Sequence, residues 1–195
     1  MGVYKLSANS VKNGRTVYGS MLAGNATFIP TSFESIATVN VTGSATSTVE
    51  FTSIDSTYSS LQLRIYSLSS TANWNKLQFN SDTNSNYTYH QLEGNGSGGN
   101  AVAASATSQT SIQYAYSYST TNPLAAIIDI LDYTNTNKYK TVRIFSGNDN
   151  NGNGNVQYSS GLWLSTNAIT SIKFINTSGS FNVNSKFALY GIKGA

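Results

Sequence analysis

The acidic residues that could act as a catalytic pair are Asp129 and Asp132, which stand three positions apart in an apolar segment. Side chains alternate between the two faces of a β-strand, so residues three apart on one strand point to opposite faces. A glycosidase needs both carboxyl groups on the same wall of a cleft, within several ångströms of each other. No local pattern selects another acid as a partner, so we predict that the protein is not an enzyme.

Metal and thiol chemistry are limited because the chain has no cysteine and a single histidine, His90. These counts exclude a disulfide scaffold, a zinc–thiolate site and a cysteine nucleophile. Residues 149–154 (DNNGNG) match the first half of a calcium-binding loop, but Ser160 stands where such a loop has its bidentate glutamate. We therefore predict a Gly/Asn loop without metal, a hydrogen-bonded role for His90, and no cofactor.

Charge is distributed unevenly along the 195 residues, whose net charge is +3. Lys5, Lys12 and Arg15 precede the first acid, Glu34, and the remainder of the chain is neutral. Nucleic-acid affinity depends on several clustered cations, so residues 138–140 (KYK) are too few to provide it. We predict no nucleic-acid binding. We also predict no membrane span, because no apolar run approaches eighteen residues.

Aromatic residues are the remaining candidates for contact with a sugar or another protein. Tyr114, Tyr116 and Tyr118 share one parity of an alternating segment, which predicts one exposed surface for a neighbouring subunit or a glycan. Trp74 and Trp163 have suitable chemistry, but we favour core positions for both. The glycine- and asparagine-rich residues 94–100 and 147–154 could also contribute to a glycan site.

The elements that must position these residues are short β-strands. From Phe33 onward, β-branched and aromatic residues alternate with polar ones, as in residues 61–65 (LQLRI), and no long helical stripe occurs. Residues 123–131 (PLAAIIDIL) are apolar on both parities, which predicts a central strand covered on both faces. About nine to eleven strands at this spacing predict an all-β protein, with residues 33–195 forming a jelly-roll-like antiparallel β-sandwich.

Residues 1–32 have a different texture, with scattered apolar residues and no sustained period. Such a segment buries too little surface to fold alone, yet it is too apolar for a solvated tail. We predict an extended N-terminal arm that docks on a partner with an acidic surface; the alternative is an N-terminal strand of the same domain. The residues expected to contact the partner are Tyr4, Lys5, Leu6, Lys12, Arg15, Tyr18, Met21 and Leu22.

Several ordered motifs resemble those of virion structural proteins from tailed bacteriophages, including aquatic and cyanobacterial phages. The motifs are residues 79–83 (FNSDT), 85–87 (SNY), 94–96 (GNG), 129–133 (DILDY), 135–141 (NTNKYKT), 160–163 (SGLW) and 187–195 (FALYGIKGA). The resemblance spans about residues 33–195 and does not include the arm. It implies a β-sandwich displayed on a particle, assembly as a homotrimer, and no catalytic residues.

On these grounds we expect a non-enzymatic protein of the virion surface, synthesised in the host cytoplasm. We expect a capsid decoration or cement protein whose arm docks on other virion proteins while the sandwich faces outward. A tail-fibre module is the alternative, although the chain has none of the repetitive or coiled-coil shaft sequence that fibres usually need. The hypothesis from another class is an adhesin that binds a host-surface carbohydrate.

Overall fold

The computed structural model describes residues 33–96, 101–117 and 120–193. Within these ranges the chain contains β-strands and no helix, and so no helix that could cross a membrane. The strands are β1 (Phe33–Asn40), β2 (Thr48–Phe51), β3 (Ser60–Ser67), β4 (Asn73–Phe79), β5 (Tyr87–Gly94), β6 (Ala101–Gln109), β7 (Ile112–Ser117), β8 (Leu124–Leu131), β9 (Lys140–Asn150), β10 (Asn153–Trp163), β11 (Ile172–Asn176) and β12 (Lys186–Ile192). The predicted docking residues of the arm, together with Tyr118, lie outside the described residues.

The strands form two antiparallel sheets that pack face to face. The larger sheet has eight strands in the order β1-β12-β3-β8-β9-β10-β5-β6, and the smaller has four in the order β2-β11-β4-β7. Rings from the two sheets meet in the core, where Phe174 of β11 lies 5.3 Å from Phe187 of β12 between ring centroids. The prediction of an all-β sandwich is confirmed, whereas the jelly-roll topology stays a prediction.

The smaller sheet covers only one face of the larger one, and this corrects the expectation for β8. Alternate residues from Leu124 to Ile130 are buried, but Ile127 and Leu131 on the other parity are each 42% exposed. The prediction that residues 123–131 are covered on both faces is therefore wrong. The strand is central in its sheet, but its second apolar face is the outside of the sandwich.

A β-bulge in β7 corrects the prediction of one tyrosine surface. Ala115 pairs with Asn75, and Gln113 pairs with the next residue of β4, so Tyr114 is an extra residue in its strand. A bulge shifts the parity of the residues that follow it. Tyr114 is consequently buried in the core, while Tyr116 is half-buried on the outer face of the smaller sheet. Tyr114 therefore cannot belong to an exposed subunit or glycan surface.

The turn after β4 is held by a carboxylate that accepts four hydrogen bonds. Asp82 accepts from the backbone and side-chain nitrogens of Asn84 at 2.9 and 2.8 Å, from Asn86 Nδ2 at 2.9 Å and from Trp163 Nε1 at 2.8 Å. Asn80 ties the same turn to the loop before β11, because its Nδ2 donates to the carbonyl of Ala168 at 2.8 Å. The residues of the FNSDT, SNY and SGLW motifs thus meet in one structural cluster.

Candidate interaction surfaces

The two candidate catalytic acids lie on different elements. Asp129 stands on the outer face of β8, where its Oδ1 accepts a hydrogen bond from Gln62 Nε2 at 2.8 Å. Asp132 follows the strand in an exposed turn and pairs with Lys138. In the part of the chain that the structure describes, no group of three His, Asp or Glu side chains could hold a metal ion. Both acids therefore have local partners of an ordinary structural kind.

The outer face of the eight-stranded sheet carries a row of apolar side chains. The strand register places Ile127, Phe145, Tyr158, Leu92 and Ala103 directly opposite one another on β8, β9, β10, β5 and β6. Phe145, Tyr158 and Leu92 are each more than half exposed, at 54, 55 and 53%. We name this row the outer band. Since neighbouring strands are about 4.8 Å apart, it extends over about 19 Å.

The residues beside the outer band leave depressions between its bulky side chains. The adjacent row runs from Tyr66 through Ala125 and Gly147 to Val156, so two small residues lie between two larger ones. One depression of about 360 Å³ is bounded by the band and this row. A second, of about 450 Å³, lies between the band and His90. The face therefore has relief that a complementary protein surface could fill.

Charged groups lie beside the outer band rather than within it. Arg64 stands directly opposite Ile127 at one end of the band. Its guanidinium carbon lies 5.2 Å from the ring centroid of Phe33 and 5.4 Å from that of Tyr190, which are cation–π distances. Asp129 and Arg143 oppose each other in the next row. The band itself is thus uncharged, with Arg64 at one end and charged residues along one side.

The exposed apolar side chains of this face form one contiguous patch. Its half-exposed apolar side chains are Tyr66, Leu92, Ile127, Phe145, Val156 and Tyr158. Together they expose on the order of 500 Å², which is the size of the largest apolar patch on a typical monomer, and such patches are often functional. The outer band is therefore the first candidate interaction surface.

The two glycine- and asparagine-rich segments meet at one end of the larger sheet. Residues 94–96, after β5, and residues 147–149 and 152–156, in the β9–β10 hairpin, line a cavity of about 460 Å³ that we name the rim cavity. Asn148 and Asn155 stand opposite each other and are buried, with 8% of each residue exposed. Neither side-chain amide has a hydrogen-bond partner in the structure. The rim cavity is the second candidate surface, and the sequence indicated its segments but not their contact.

Backbone geometry explains the glycines of the hairpin. A Cβ at Gly154, whose φ is +147°, would lie 2.1 Å from the carbonyl oxygen of Asn148. The backbone of β10 can therefore approach β9 only with glycine at this position. Asp149, the first residue of the half calcium motif, accepts a hydrogen bond from the backbone of Gly152 at 3.2 Å and so closes the hairpin turn.

The two tryptophans have opposite environments. Trp163 is buried, which confirms its predicted core position, with its ring 5.6 Å from that of Phe79. Trp74 is only partly buried, so its predicted core position is wrong. It lies on the outer face of the smaller sheet, 5.0 Å from the ring of Tyr116 and nearly perpendicular to it. Within the described ranges, Tyr116 is the only residue of the predicted tyrosine surface that stays on the outside.

The basic cluster at residues 138–140 is occupied by internal contacts. Lys138 pairs with Asp132, while Lys140 is buried and donates hydrogen bonds to the backbone carbonyls of Asn135, Lys138 and Thr166. Burial lowers the pKa of Lys140. One of the two lysines is therefore unavailable to a phosphate group, and the absence of nucleic-acid binding stays a prediction.

Compared with models of protein families, with curated proteins and with solved structures, the chain shows no significant match. Its function is therefore inferred from the outer band, the rim cavity and the motifs described above.

Proposed function

We propose that the protein is a non-enzymatic structural component of a bacteriophage virion. In this proposal it is a capsid decoration protein that assembles as a homotrimer, docks through residues 1–32 on other virion proteins and faces outward with its sandwich. The observation that carries the proposal is the outer band, because a protein that works by lasting contact needs an exposed apolar surface with relief. The resemblance of the motifs to those of phage virion proteins supports a virion as the place of this contact.

The environment of the motifs favours a structural role over a catalytic one. Asp82 and Trp163 are joined by a hydrogen bond within the turn cluster. A Cβ at Gly161 would lie 2.8 Å from Ile112, and a Cβ at Gly191 would lie 2.3 Å from the ring of Tyr58. These motif residues are thus explained by packing and hydrogen bonding alone.

The composition of the outer band fits a lasting contact with a neighbouring virion protein, in addition to the docking of residues 1–32. Burying apolar surface stabilises a contact by about 25 cal/mol per Å² before the costs of association are subtracted. Because the band is uncharged, that contribution depends little on ionic strength. A decoration protein built in this way would stay bound when the particle moves between media of different salt content.

Substitutions in the outer band test the proposal. We expect Phe145→Ser with Tyr158→Ser to leave the fold intact but to prevent incorporation into particles. Tyr139→Ser is the matched control, because Tyr139 is 51% exposed but lies in the connection before β9. Circular dichroism checks the fold, and quantitative mass spectrometry of purified particles gives the copy number. Incorporation of the double variant at the native level would contradict the proposal.

The copy number of the native protein separates the two placements. Hundreds of copies per particle, as the symmetry of a shell requires, would support a capsid protein. A few copies or a few dozen would instead support the tail-fibre alternative.

The rim cavity favours a second candidate function, that of a carbohydrate-binding adhesin. A sugar hydroxyl both donates and accepts hydrogen bonds, and a side-chain amide offers both partners. The amides of Asn148 and Asn155 have neither partner, and leaving such groups buried and unpaired costs about 1–3 kcal/mol each.

Glycan arrays test this second function. Binding should disappear in the Asn148→Ala, Asn155→Ala double variant and persist in Asn137→Ala, because Asn137 is exposed in the connection between β8 and β9. If the aromatic pair of Tyr116 and Trp74 binds the glycan, Tyr116→Ala should likewise abolish binding to the array. If no host polysaccharide is bound by the native protein, the adhesin hypothesis is wrong.

A further inference from the structure

We propose that strand β6 pairs with β6 of a second copy of this chain, antiparallel and about a two-fold axis. The two eight-stranded sheets would then join edge to edge. The inference concerns self-association and does not depend on the virion role.

Among the described strands, β6 forms an edge of the larger sheet with no partner on its outer side. It is nine residues long (AVAASATSQ), pairs with β5 on one side, and has most of its side chains exposed on both faces. Natural edge strands are normally protected from other chains by charges, prolines or bulges. Strand β6 has no charged residue and no proline, and its pairing with β5 is regular from Ala101 to Ala106. The irregularity of its register falls only after that stretch.

The opposite edge of the same sheet has the protection that β6 lacks. Strand β1 contains Glu34, which accepts a hydrogen bond from Lys193 at 3.2 Å and one from Tyr58 at 3.3 Å. Its register also shifts between Ser35 and Ala37, which interrupts a flat edge. Two edges of one sheet thus differ in the features that prevent strand addition.

The charge and size of its side chains make β6 complementary to itself. An antiparallel two-fold pairing places the strand against its own sequence, and like charges directly opposite would destabilise such a pair. Residues 101–106 contain only Ala, Val and Ser, so no charge repulsion arises and the small side chains fit at cross-strand spacing. A two-fold contact of this kind is isologous, with the same patch on both copies.

The outer band indicates the register of the pairing. Directly opposite residues of antiparallel strands point to the same face of a sheet, so Ala103 can oppose Ala103 of the second copy. In that register Ala101 opposes Ser105, and the row from Ile127 to Ala103 continues into the corresponding row of the other copy. The apolar strip then becomes continuous across both sheets, without a polar step at the junction.

Cysteine cross-linking tests this register directly, because the native chain has no cysteine. Opposed Cα atoms would lie about 4.5–5.5 Å apart, within the range that a disulfide spans. We expect Ala103→Cys to form a disulfide-linked dimer on mild oxidation, and a mixture of Ala101→Cys and Ser105→Cys to link as a heterodimer. Thr136→Cys, on an exposed turn, is the control. The proposal is overturned if Ala103→Cys and the mixture of Ala101→Cys with Ser105→Cys cross-link no more than this control.

The mass of the native protein in solution gives an independent test. A two-fold contact requires an even number of copies: two, or six if it is combined with the three-fold axis of a trimer. We expect Ala103→Lys, which places two lysines opposite each other, to halve that number without changing the circular dichroism spectrum. A native protein with one or three copies would overturn the proposal, as would an Ala103→Lys variant that keeps the native mass.

Discussion

Replacing Asp82 with asparagine tests whether the motif cluster holds the fold. Asp82 accepts four hydrogen bonds, two from Asn84, one from Asn86 and one from Trp163. An asparagine keeps one side-chain oxygen, but an NH₂ group replaces the second oxygen. The two donors that faced the second oxygen therefore lose their acceptor. Hydrogen bonds to a charged group contribute about 1.5–3 kcal/mol each, so we expect Asp82→Asn to lower the free energy of unfolding by about 3 kcal/mol. For a chain of this size, that corresponds to a Tm lower by about 6–12 °C.

The effect should depend on pH in a definite direction. Burial alone would raise the pKa of Asp82, but hydrogen bonds from Asn86, Trp163 and Asn84 together hold that pKa below its ordinary value. A carboxyl group with a lowered pKa in the folded state stabilises the fold fully above its unfolded pKa, about 3.9. That stabilisation is lost as the pH falls through the lower, folded pKa. The stability difference between the native protein and Asp82→Asn should therefore narrow in acid.

Urea unfolding near pH 7 and near pH 3 measures this difference, with tryptophan fluorescence as the signal because Trp163 lies in the cluster. Asp132→Asn is the control: Asp132 has a side chain 55% exposed in a surface ion pair with Lys138, so its replacement should change stability by less than about 1 kcal/mol. The reasoning is refuted if Asp82→Asn matches the native protein at neutral pH, or if its deficit is the same at both pH values.

Three further predictions concern packing and the arm. Tyr114→Phe should raise the free energy of unfolding by about 1 kcal/mol in a urea titration, because its buried hydroxyl has no hydrogen-bond partner; a loss of stability would contradict this. Gly191→Ala should lower the free energy of unfolding by about 1–3 kcal/mol, because the new Cβ would overlap the ring of Tyr58. The Gly191→Ala, Tyr58→Ala double variant should lose less free energy of unfolding than the two single variants lose together. A loss in the double variant equal to that sum would argue against the contact. Deletion of residues 1–30 should leave a folded, soluble protein, by circular dichroism, that no longer joins particles; its normal incorporation would show that the arm is not needed.

The all-β class could be predicted because the period-2 pattern is a local property of each strand. The environments of Tyr114 and Tyr116 could not, because the bulge that separates them is defined by the pairing of β7 with β4. Strand β8 shows a different limit. Apolar residues on both parities predicted two covered faces. Periodicity shows which residues share a face of the strand, but it does not show whether that face is buried in the core or exposed on the outside of the sandwich.

The sequence predicted some segments of the candidate surfaces, but it did not predict how these segments come together. The two Gly/Asn segments were recognisable from composition, but they meet because β10 lies between β5 and β9, which is a long-range property. The unpaired amides of Asn148 and Asn155 have no signal in the sequence. The outer band was also missed, because its members come from five strands and each is unremarkable in its own segment.

The register of the larger sheet gives the sandwich two distinct ends. Phe33 pairs with Ile192, so the first described residue and the last strand lie together, whereas Gly147 belongs to the row at the other end of the strands. Along β3 the two rows lie six residues apart, at Ser60 and Tyr66, a distance of about 20 Å. A peptide attached behind β12 would therefore lie close to Phe33, where β1 begins. An epitope inserted between Asn151 and Gly152 would instead be presented at the free tip, which makes the β9–β10 hairpin the natural position for displaying foreign sequences.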